Sequence, residues 1–529
     1  MMISDDCTPI NSGTRREWGF VEKMHNKLSV IVGGLLLAIL MASMDNTIVS
    51  TAMGTIVGEM GGLDKFVWVT SAYMVTEMAC MPIFGKLSDM YGRKRFFIFG
   101  IFVFMIGSAL CGMAASIVEL SLYRAVQGVG AGAMVSIAFT ILFDVVSPKD
   151  RGKMMGAFGA VFGLSSVLGP LLGGYITDHA NWSWIFYINL PLGFIALFLI
   201  AAFYKESAEH SKQKIDWAGA ILLVGAVVCF IFGLELGGKT YAWDSPQIIG
   251  LFAGFAVLAL LLVIVEKKAA EPIISFGLFR SRLYTTSNLV AMLSGAAYMT
   301  AAIFIPIYVQ GVLGGSASNS GLTLLPMMIG SVVTATLGGF LMTKLQYRTI
   351  MIGTLTILLT GLALLSQITV ESSRLLITVI MILIGLGIGA TFSVLSTAVL
   401  HSFPPNQRGA ASATLNFNRS LGMALGITVF GIVQSHSLIS KLTQSLGAGN
   451  STAAAGLDLS DPHALLIPEF RQSVDTQLLE TITNGLSNSI GTTFAWSLIP
   501  AALALIAAFL MTKDKMDPVA EGEGLATAH

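Results

Sequence analysis

Apolar residues occur along this chain in runs of about 20 residues, separated by short polar segments. A bilayer core of about 30 Å is crossed by about 20 apolar residues in a helix. Backbone groups in lipid must hydrogen-bond within their own segment, so each run is predicted to be helical. Fourteen such runs cover residues 28–49, 66–84, 96–114, 117–143, 153–177, 183–204, 215–236, 246–266, 285–311, 318–343, 349–370, 373–400, 409–435 and 491–512.

Composition supports the same interpretation. Of the 529 residues, 54% are hydrophobic and 11% are charged, whereas a soluble domain carries roughly 25% charged residues. The sequence therefore predicts an all-α polytopic membrane protein in a lipid bilayer. The net charge of zero gives no reason to expect a nucleic-acid partner. Cysteines and histidines have no metal-ligand spacing, so neither a metal nor a cofactor is expected.

Basic residues in the loops predict the orientation of the spans. With the N-terminus inside, 23 of the 30 Lys and Arg residues fall in inner segments and 5 in outer loops. The polar tails 1–27 and 513–529 are then both cytoplasmic. The first apolar run is too long for a signal peptide and is expected to remain as a span.

Two stretches are repeated within the chain. Residues 85–100 align with 338–353, and residues 151–169, which open on Arg-Gly, align with 408–426. The offsets are nearly equal, 253 and 257 residues. Duplicated halves are a feature of transporters, whose substrate sites lie between the halves near the midplane.

The repeat divides the chain into five segments. We predict a six-helix half at each end and two extra spans between them. One long polar connection, the outer loop 436–490, belongs to the second half. The boundaries are 1–27, 28–204, 205–282, 283–512 and 513–529.

Charged residues within the predicted spans are functional candidates, because a charge at mid-bilayer costs at least about 2.5–3.5 kcal/mol, and three of them stand out. With a rise of 1.5 Å per residue, Asp45 in span 1 and Arg124 in span 4 lie at similar depths. They form either a proton switch, in which protonation of Asp45 releases Arg124, or a static ion pair. Glu77 in span 2 faces either a central cavity or a helix contact.

The loop "GKLSDMYGRKR" after span 2 contains more than basic residues. Gly85 and Gly92 permit a tight turn and close helix approach. Asp89 is suited to cap a neighbouring helix N-terminus, and Arg93 to pair with Asp144 at the inner end of span 4.

Span 5 carries small residues at four-residue steps, Ser165, Gly169 and Gly173. This pattern predicts close approach to a partner helix, and Pro170 permits a bend. Methionine and aromatic residues are further candidates, for a permissive substrate cavity. The aromatic candidates are Tyr73, Phe158, Phe162, Tyr298, Phe304 and Phe392.

The segment Gly233–Thr240, "GLELGGKT", matches the phosphate-binding P-loop pattern. That motif needs a strand before it, whereas a helix-length apolar span precedes it here. It also falls on the predicted outer side, so ATP binding is not expected.

The motifs together resemble the major facilitator superfamily. The loop 85–95, including Arg95, is similar to its signature loop. "LYRAVQGVGAGAMVS" (122–136) resembles its proton-coupling motif and "GLSSVLGPLLGG" (163–174) its antiporter motif, with Gly163, Gly169, Pro170, Gly173 and Gly174. "MDNTIVSTA" (44–52) and "WSWIFYINLPLG" (182–193) resemble the fourteen-span drug:proton antiporters, especially multidrug exporters of Gram-positive bacteria.

The resemblance implies a function as well as a fold. It implies a monomeric exporter in the bacterial cell membrane, not an enzyme, that exchanges hydrophobic or cationic compounds for protons through Asp45, Arg124 and Glu77. A dedicated metabolite exporter, a proton symporter and a membrane sensor without transport remain alternatives. The chain departs from the motif in its second half, where Met342 aligns with Asp89, so we expect an asymmetric inner gate.

Overall fold

The computed structural model describes residues 12–60, 66–206, 215–238, 240–269, 271–315, 317–446 and 476–516. These residues form fifteen α-helices and two short 3₁₀ turns. The helices are α1 (Ser12–Met60), α2 (Phe66–Tyr91), α3 (Arg93–Gly112), α4 (Ile117–Val145), α5 (Pro148–His179), α6 (Trp184–Tyr187), α7 (Asn189–Phe203), α8 (Trp217–Leu236), α9 (Pro246–Glu266), α10 (Arg282–Gly311), α11 (Ala317–Leu341), α12 (Tyr347–Leu365), α13 (Arg374–His401), α14 (Arg408–Leu446) and α15 (Thr476–Phe509).

Within the described residues, thirteen helical segments are long and apolar enough to cross a membrane. The predicted span 66–84 folds as α2 but is not among them. The predicted span 183–204 is divided into α6 and α7 at Ile188. The all-helical membrane class is therefore confirmed, and the count of fourteen spans stays a prediction.

Several helices extend beyond the predicted spans. Helix α1 begins at Ser12, inside the predicted N-terminal tail. Both ends of the predicted outer loop 436–490 are helical, since α14 continues to Leu446 and α15 begins at Thr476. Residues 1–11, 447–475 and 517–529 lie outside the described part of the chain.

Two hydrophobic cores match the two halves of the sequence. One core joins buried residues of α1–α5 and α7, and the other joins α10–α15. Helices α8 and α9 pack against each other, and α8 also packs against α2. The Trp68 and Phe232 rings, for example, lie 5.0 Å apart. The two extra helices therefore lie beside the halves.

Arg151 and Arg408 show that the halves are structurally related. Each follows the turn that leads into α5 or α14. The Arg151 Nε donates hydrogen bonds to the carbonyls eight and five residues earlier, at 3.0 and 3.2 Å. The Arg408 Nε bonds the carbonyls at the same two spacings, at 3.1 and 3.2 Å. The sequence repeat at an offset of 257 thus corresponds to a repeated turn.

The halves contact each other through two helix pairs, α2 with α14 and α5 with α11. The internal repeat relates α2 to α11 and α5 to α14, so the two pairs are equivalent. A Cβ added at Gly85 would overlap Ala413 and the carbonyl of Gly409. A Cβ at Gly156 would lie 2.7 Å from the Thr336 Cα. Only glycine allows backbones to approach this closely, so both pairs are tight where they cross.

Candidate functional site

Asp45 on α1 and Arg124 on α4 form an ion pair that is completely buried. The pairing that their similar depths predicted is present. The Arg124 Nη1 also donates to the Gln127 Oε1 at 2.8 Å, and the Nε donates to the Val69 carbonyl at 3.4 Å. The guanidinium lies 4.1 Å from the centre of the Tyr73 ring. A cation against an aromatic face in a desolvated position is attracted by about 2 kcal/mol or more.

The second oxygen of Asp45 is held by two amides. The Gln127 Nε2 donates to the Asp45 Oδ1 at 2.8 Å, and the Asn189 Nδ2 donates to it at 2.9 Å. Both amides also donate to the Ser108 Oγ, at 3.1 and 2.9 Å. Asn189 is the first residue of α7, so the break between α6 and α7 positions its side chain. Ser108 and Asn189 were not predicted as site residues.

The groups that contact the Asp45 side chain are all hydrogen-bond donors. The two amides donate all four of their hydrogen bonds to Asp45 and Ser108 through N–H groups. Arg124 also contacts Asp45 through an N–H group. A protonated oxygen must itself donate a hydrogen bond, and the nitrogens around Asp45 cannot accept one. Removing one member of a buried ion pair costs about 3–5 kcal/mol. Loss of the charge on Asp45 would therefore leave the buried Arg124 guanidinium without its counter-charge.

Glu77 lies on α2 and is half-buried at the contact with α4. A Cβ added at Gly128 would lie 3.2 Å from the Glu77 nitrogen. The side chain of Asn46, the residue after Asp45, hydrogen-bonds to the Glu77 carboxylate. Glu77 therefore contacts the residue next to Asp45, at the place where α1, α2 and α4 meet.

Asp89 joins the two halves at the end of the bundle that carries the loop 85–95. Its Oδ1 accepts from the Gly409 nitrogen and its Oδ2 from the Ala410 nitrogen, both at 2.9 Å. Both N–H groups lie in the first turn of α14, whose partial positive charge favours an anion. The predicted cap of a neighbouring helix is therefore present. Burial raises the pKa of Asp89, and Arg93 opposes this shift.

Arg93 connects Asp89 to the end of α4 and to the second half. Its guanidinium pairs with Asp89 at 3.2 Å and with Asp144, as predicted, and donates to the Pro405 carbonyl at 2.5 Å. Arg408 contacts the same Asp144 at 3.2 Å. We call Asp89, Arg93, Asp144 and Arg408 the inter-half charge cluster.

Other residues of the loop have different roles. Gly92 has a φ of 108°, which a side chain rarely adopts and which explains a glycine between α2 and α3. Arg95 is exposed and joins no ion pair within the described residues. Glu206, which sequence reasoning missed, accepts from the backbone N–H groups of Arg93 and Lys94.

Met342, which aligns with Asp89, makes no equivalent link. Its side chain is buried in the core of the second half. Its carbonyl accepts from the Met516 nitrogen at 3.2 Å. An apolar side chain cannot cap the N-terminus of α5 as Asp89 caps the N-terminus of α14. The carboxylate that links the two halves therefore comes from the first half.

Span 5 approaches α1 through its small residues. A Cβ at Gly169 would overlap Thr47, and one at Gly173 would overlap Thr51. The Thr47 Oγ1 donates to the Ser165 carbonyl at 3.1 Å. Pro170 lies inside the continuous helix α5.

The other two motif glycines differ from these. Gly163 is in ordinary contact with Met328 of α11, and a Cβ at Gly174 would meet no atom within 4 Å. The close α1–α5 contact therefore depends on Gly169 and Gly173 and does not involve Gly163 or Gly174.

The predicted cavity aromatics occupy several environments. Tyr73 and Phe158 are fully buried in the first half, where Tyr73 contacts Arg124 and Phe158 packs on Phe139. Phe162 of α5 stacks on Phe392 of α13 at 5.7 Å, across the two halves. Phe304 is buried in the core of the second half, and Tyr298 packs against that core.

The P-loop-like segment forms the end of a helix. Its first four residues are the last residues of α8, which ends at Leu236, and the chain then turns at Gly238, whose φ is 75°. The Gly238 nitrogen donates to the Tyr241 carbonyl at 2.7 Å. Lys239 lies outside the described residues.

An all-helical membrane protein with two related halves and buried charges has the architecture of a secondary transporter. Residues 35–427 match the family model of the Major Facilitator Superfamily. The chain belongs to this superfamily, whose members are transporters rather than enzymes.

Two relatives from Bacillus subtilis (strain 168) cover most of the chain. Over 493 residues the chain is 50% identical to "Multidrug resistance protein 3", covering 93% of this chain and 96% of the relative. Over 486 residues it is 37% identical to "Multidrug transporter protein MdtP", covering 91% and 87%.

Solved structures share the fold at low identity. The proton:xylose symporter XylE matches with a TM-score of 0.61 and 12% identity, over 95% of this chain and 99% of XylE. A bacterial homologue of the human lysosomal transporter Spinster matches with a TM-score of 0.55 and 18% identity, over 92% and 98%. At these identities the likeness concerns the fold alone.

Proposed function

We propose that this protein is a proton-coupled antiporter that exports hydrophobic, often cationic, compounds from a bacterial cell. In this proposal it crosses the cell membrane fourteen times as a monomer, with both termini in the cytoplasm. The names of the two Bacillus relatives support a multidrug substrate range. The observation that carries the proton-coupling part is the buried Asp45–Arg124 pair, whose surrounding donors favour the ionised carboxylate.

Proton binding at Asp45 supplies the switch. A proton from outside neutralises the carboxylate and ends its pairing with Arg124, so α1 and α4 repack. Glu77 is linked to the residue after Asp45, so its carboxylate is placed to share the proton or to attract a cationic substrate. Release of the proton to the inside restores the ion pair. Proton movement thereby biases the exchange between two conformations.

The inter-half charge cluster supports a gate at the cytoplasmic end. Asp89 and Arg93 of the first half hold backbone groups of the second half at α14 and at Pro405. These bonds must break for the halves to separate at this end. In this proposal the observed conformation is therefore one in which the inner end is closed.

Transport into inside-out membrane vesicles tests this proposal. With an acidic vesicle interior, the wild type should accumulate a rhodamine methyl ester, a fluorescent cation, against its gradient. Asp45→Asn, which keeps the shape of the side chain and removes the charge, should reduce this accumulation at least tenfold. The matched control is Asp244→Asn, in an exposed connection between α8 and α9, which should transport normally.

The direction of the response separates antiport from the alternative proton symport. A symporter would be driven out of the acidic interior by the same gradient and would not accumulate the dye. Full accumulation by Asp45→Asn would contradict the role assigned to this residue.

A further inference from the structure

Arg419 lies within α14 and is buried, with 5% of its surface exposed. It follows the start of the helix at Arg408 by 11 residues, which places it about 17 Å along the helix axis. In a bilayer core of about 30 Å this is close to the midplane. Transporters of two related halves bind their substrates at this depth.

Among the described residues, the Arg419 guanidinium has only neutral hydrogen-bond partners. Its Nη1 donates to the Asn416 Oδ1 at 3.0 Å and its Nη2 to the Thr391 carbonyl at 3.2 Å. Within the part of the chain that the structure describes, no carboxylate pairs with it, in contrast to Arg124. The Arg419 Nε is buried and has no hydrogen-bond partner among the residues that the structure describes. A buried charge without a counter-charge is costly, so its presence needs an explanation.

Asn416 adds a second free donor beside it. Arg419 can only donate, so the Asn416 atom that faces it must be the oxygen. The Asn416 Nδ2 is therefore the outer atom, and it is buried without a partner. Two N–H groups without acceptors, one helical turn apart and next to a full positive charge, match an anionic oxygen ligand.

Aromatic rings connect this position to the first half. The guanidinium lies 4.7 Å from the centre of the Phe392 ring, and Phe392 stacks on Phe162 of α5. In the internal repeat, Arg419 occupies the position that Phe162 has in the first half, 257 residues earlier. The Arg419 cation therefore lies directly beside an aromatic pair that crosses the interface between the halves.

We propose that Arg419 and Asn416 bind the carboxylate of amphiphilic aromatic substrates, whose ring system packs on Phe162 and Phe392. This inference rests on the proposed transport function and extends its substrates to compounds that carry an acidic group. Binding of a carboxylate would supply the missing counter-charge at Arg419. Cationic compounds without an acid would use the aromatic surface and leave Arg419 unpaired.

A matched pair of dyes tests the inference. Rhodamine 110 has a free carboxylate, and rhodamine 123 is its methyl ester with the same ring system. Equilibrium binding of each dye to the purified full chain in lipid nanodiscs is measured by fluorescence anisotropy. Arg419→Gln should weaken binding of the acid at least tenfold and change binding of the ester less than twofold. Arg419→Lys, which keeps the charge, should recover part of the loss.

Two further variants sharpen the result. Asn416→Asp places a carboxylate beside Arg419 and should weaken binding of the acid as much as Arg419→Gln does. Arg374→Gln, at an exposed position at the start of α13, should change neither affinity. Equal weakening of both dyes by Arg419→Gln, an unchanged affinity for the acid, or no binding of the acid by the wild type would overturn the inference.

The binding measurement involves no pH gradient. A failure of gradient-driven transport by the wild type would contradict the proposed function, while a difference between the two dyes in binding would still support the assignment of Arg419. The two proposals can therefore fail separately.

Discussion

At the scale of single residues, the Asp45 site consists of one carboxylate held by Arg124 and by the amides of Gln127 and Asn189. Charges in apolar runs are rare, so Asp45 and Arg124 could be found from the sequence, and their depths could be compared. Ser108 and Asn189 are ordinary polar residues in a membrane chain, and their importance comes from their position against Asp45. The same limit applies to Glu206, which meets α3 only through the tertiary fold.

Asn189 provides a direct test of the network. Asn189→Leu removes one of the two amide donors to the Asp45 Oδ1 and one donor to Ser108. The Gln127 amide remains bound to the Asp45 Oδ1, and a hydrogen bond to a charged group contributes about 1.5–3 kcal/mol. We expect gradient-driven dye uptake by this variant to fall roughly tenfold in the vesicle assay.

The control for Asn189 replaces another amide by leucine. Gln247 is exposed in the first turn of α9, so Gln247→Leu should retain wild-type uptake. Unchanged uptake by Asn189→Leu, with normal protein levels, would remove Asn189 from the site.

At the scale of helices, spacing patterns located the elements well and their ends poorly. The small residues of span 5 predicted a close helix contact, and Gly169 and Gly173 make it with α1. The pattern could not show that Gly163 and Gly174 lie outside this contact, because that depends on how the helix is rotated. Helix α15 begins within the predicted outer loop, since polar residues such as those near Thr476 can also be helical.

Gly169 and Gly174 form a matched pair of substitutions. Gly169→Ala places a methyl group against Thr47 and the backbone of Ile48, and overpacking of this kind costs typically about 1–3 kcal/mol. We expect a lower thermal unfolding temperature of the purified protein and slower transport. Gly174→Ala points into open space and should unfold at the wild-type temperature. Equal unfolding temperatures for the two variants would show that the α1–α5 contact is not sterically tight.

At the scale of the whole molecule, the two halves are related but not equivalent. The repeated arginine turns at Arg151 and Arg408 follow from the duplicated sequence. The charged link at Asp89 has no counterpart at Met342, and the unpaired Arg419 replaces an aromatic residue of the first half. The loss of Asp89 could be predicted from the sequence, whereas the missing counter-charge at Arg419 is visible only in the folded chain.

This asymmetry assigns different tasks to the halves. In the proposed mechanism, the first half carries the proton through Asp45, and the second half contributes Arg419 to the substrate site. The inter-half charge cluster lies at the predicted cytoplasmic end, so movement of α1 and α4 on protonation can reach the contact between the halves through α4, which ends beside Asp144.

The most direct test of proton coupling measures proton movement driven by the substrate. Proteoliposomes are loaded with the rhodamine methyl ester, with equal pH on both sides and the membrane potential clamped by potassium and valinomycin. Exit of the dye through the wild-type protein should acidify the interior, and Asp45→Asn should abolish this acidification while Asp244→Asn retains it. Dye exit through the wild type without acidification, or equal acidification with Asp45→Asn, would contradict proton coupling through Asp45.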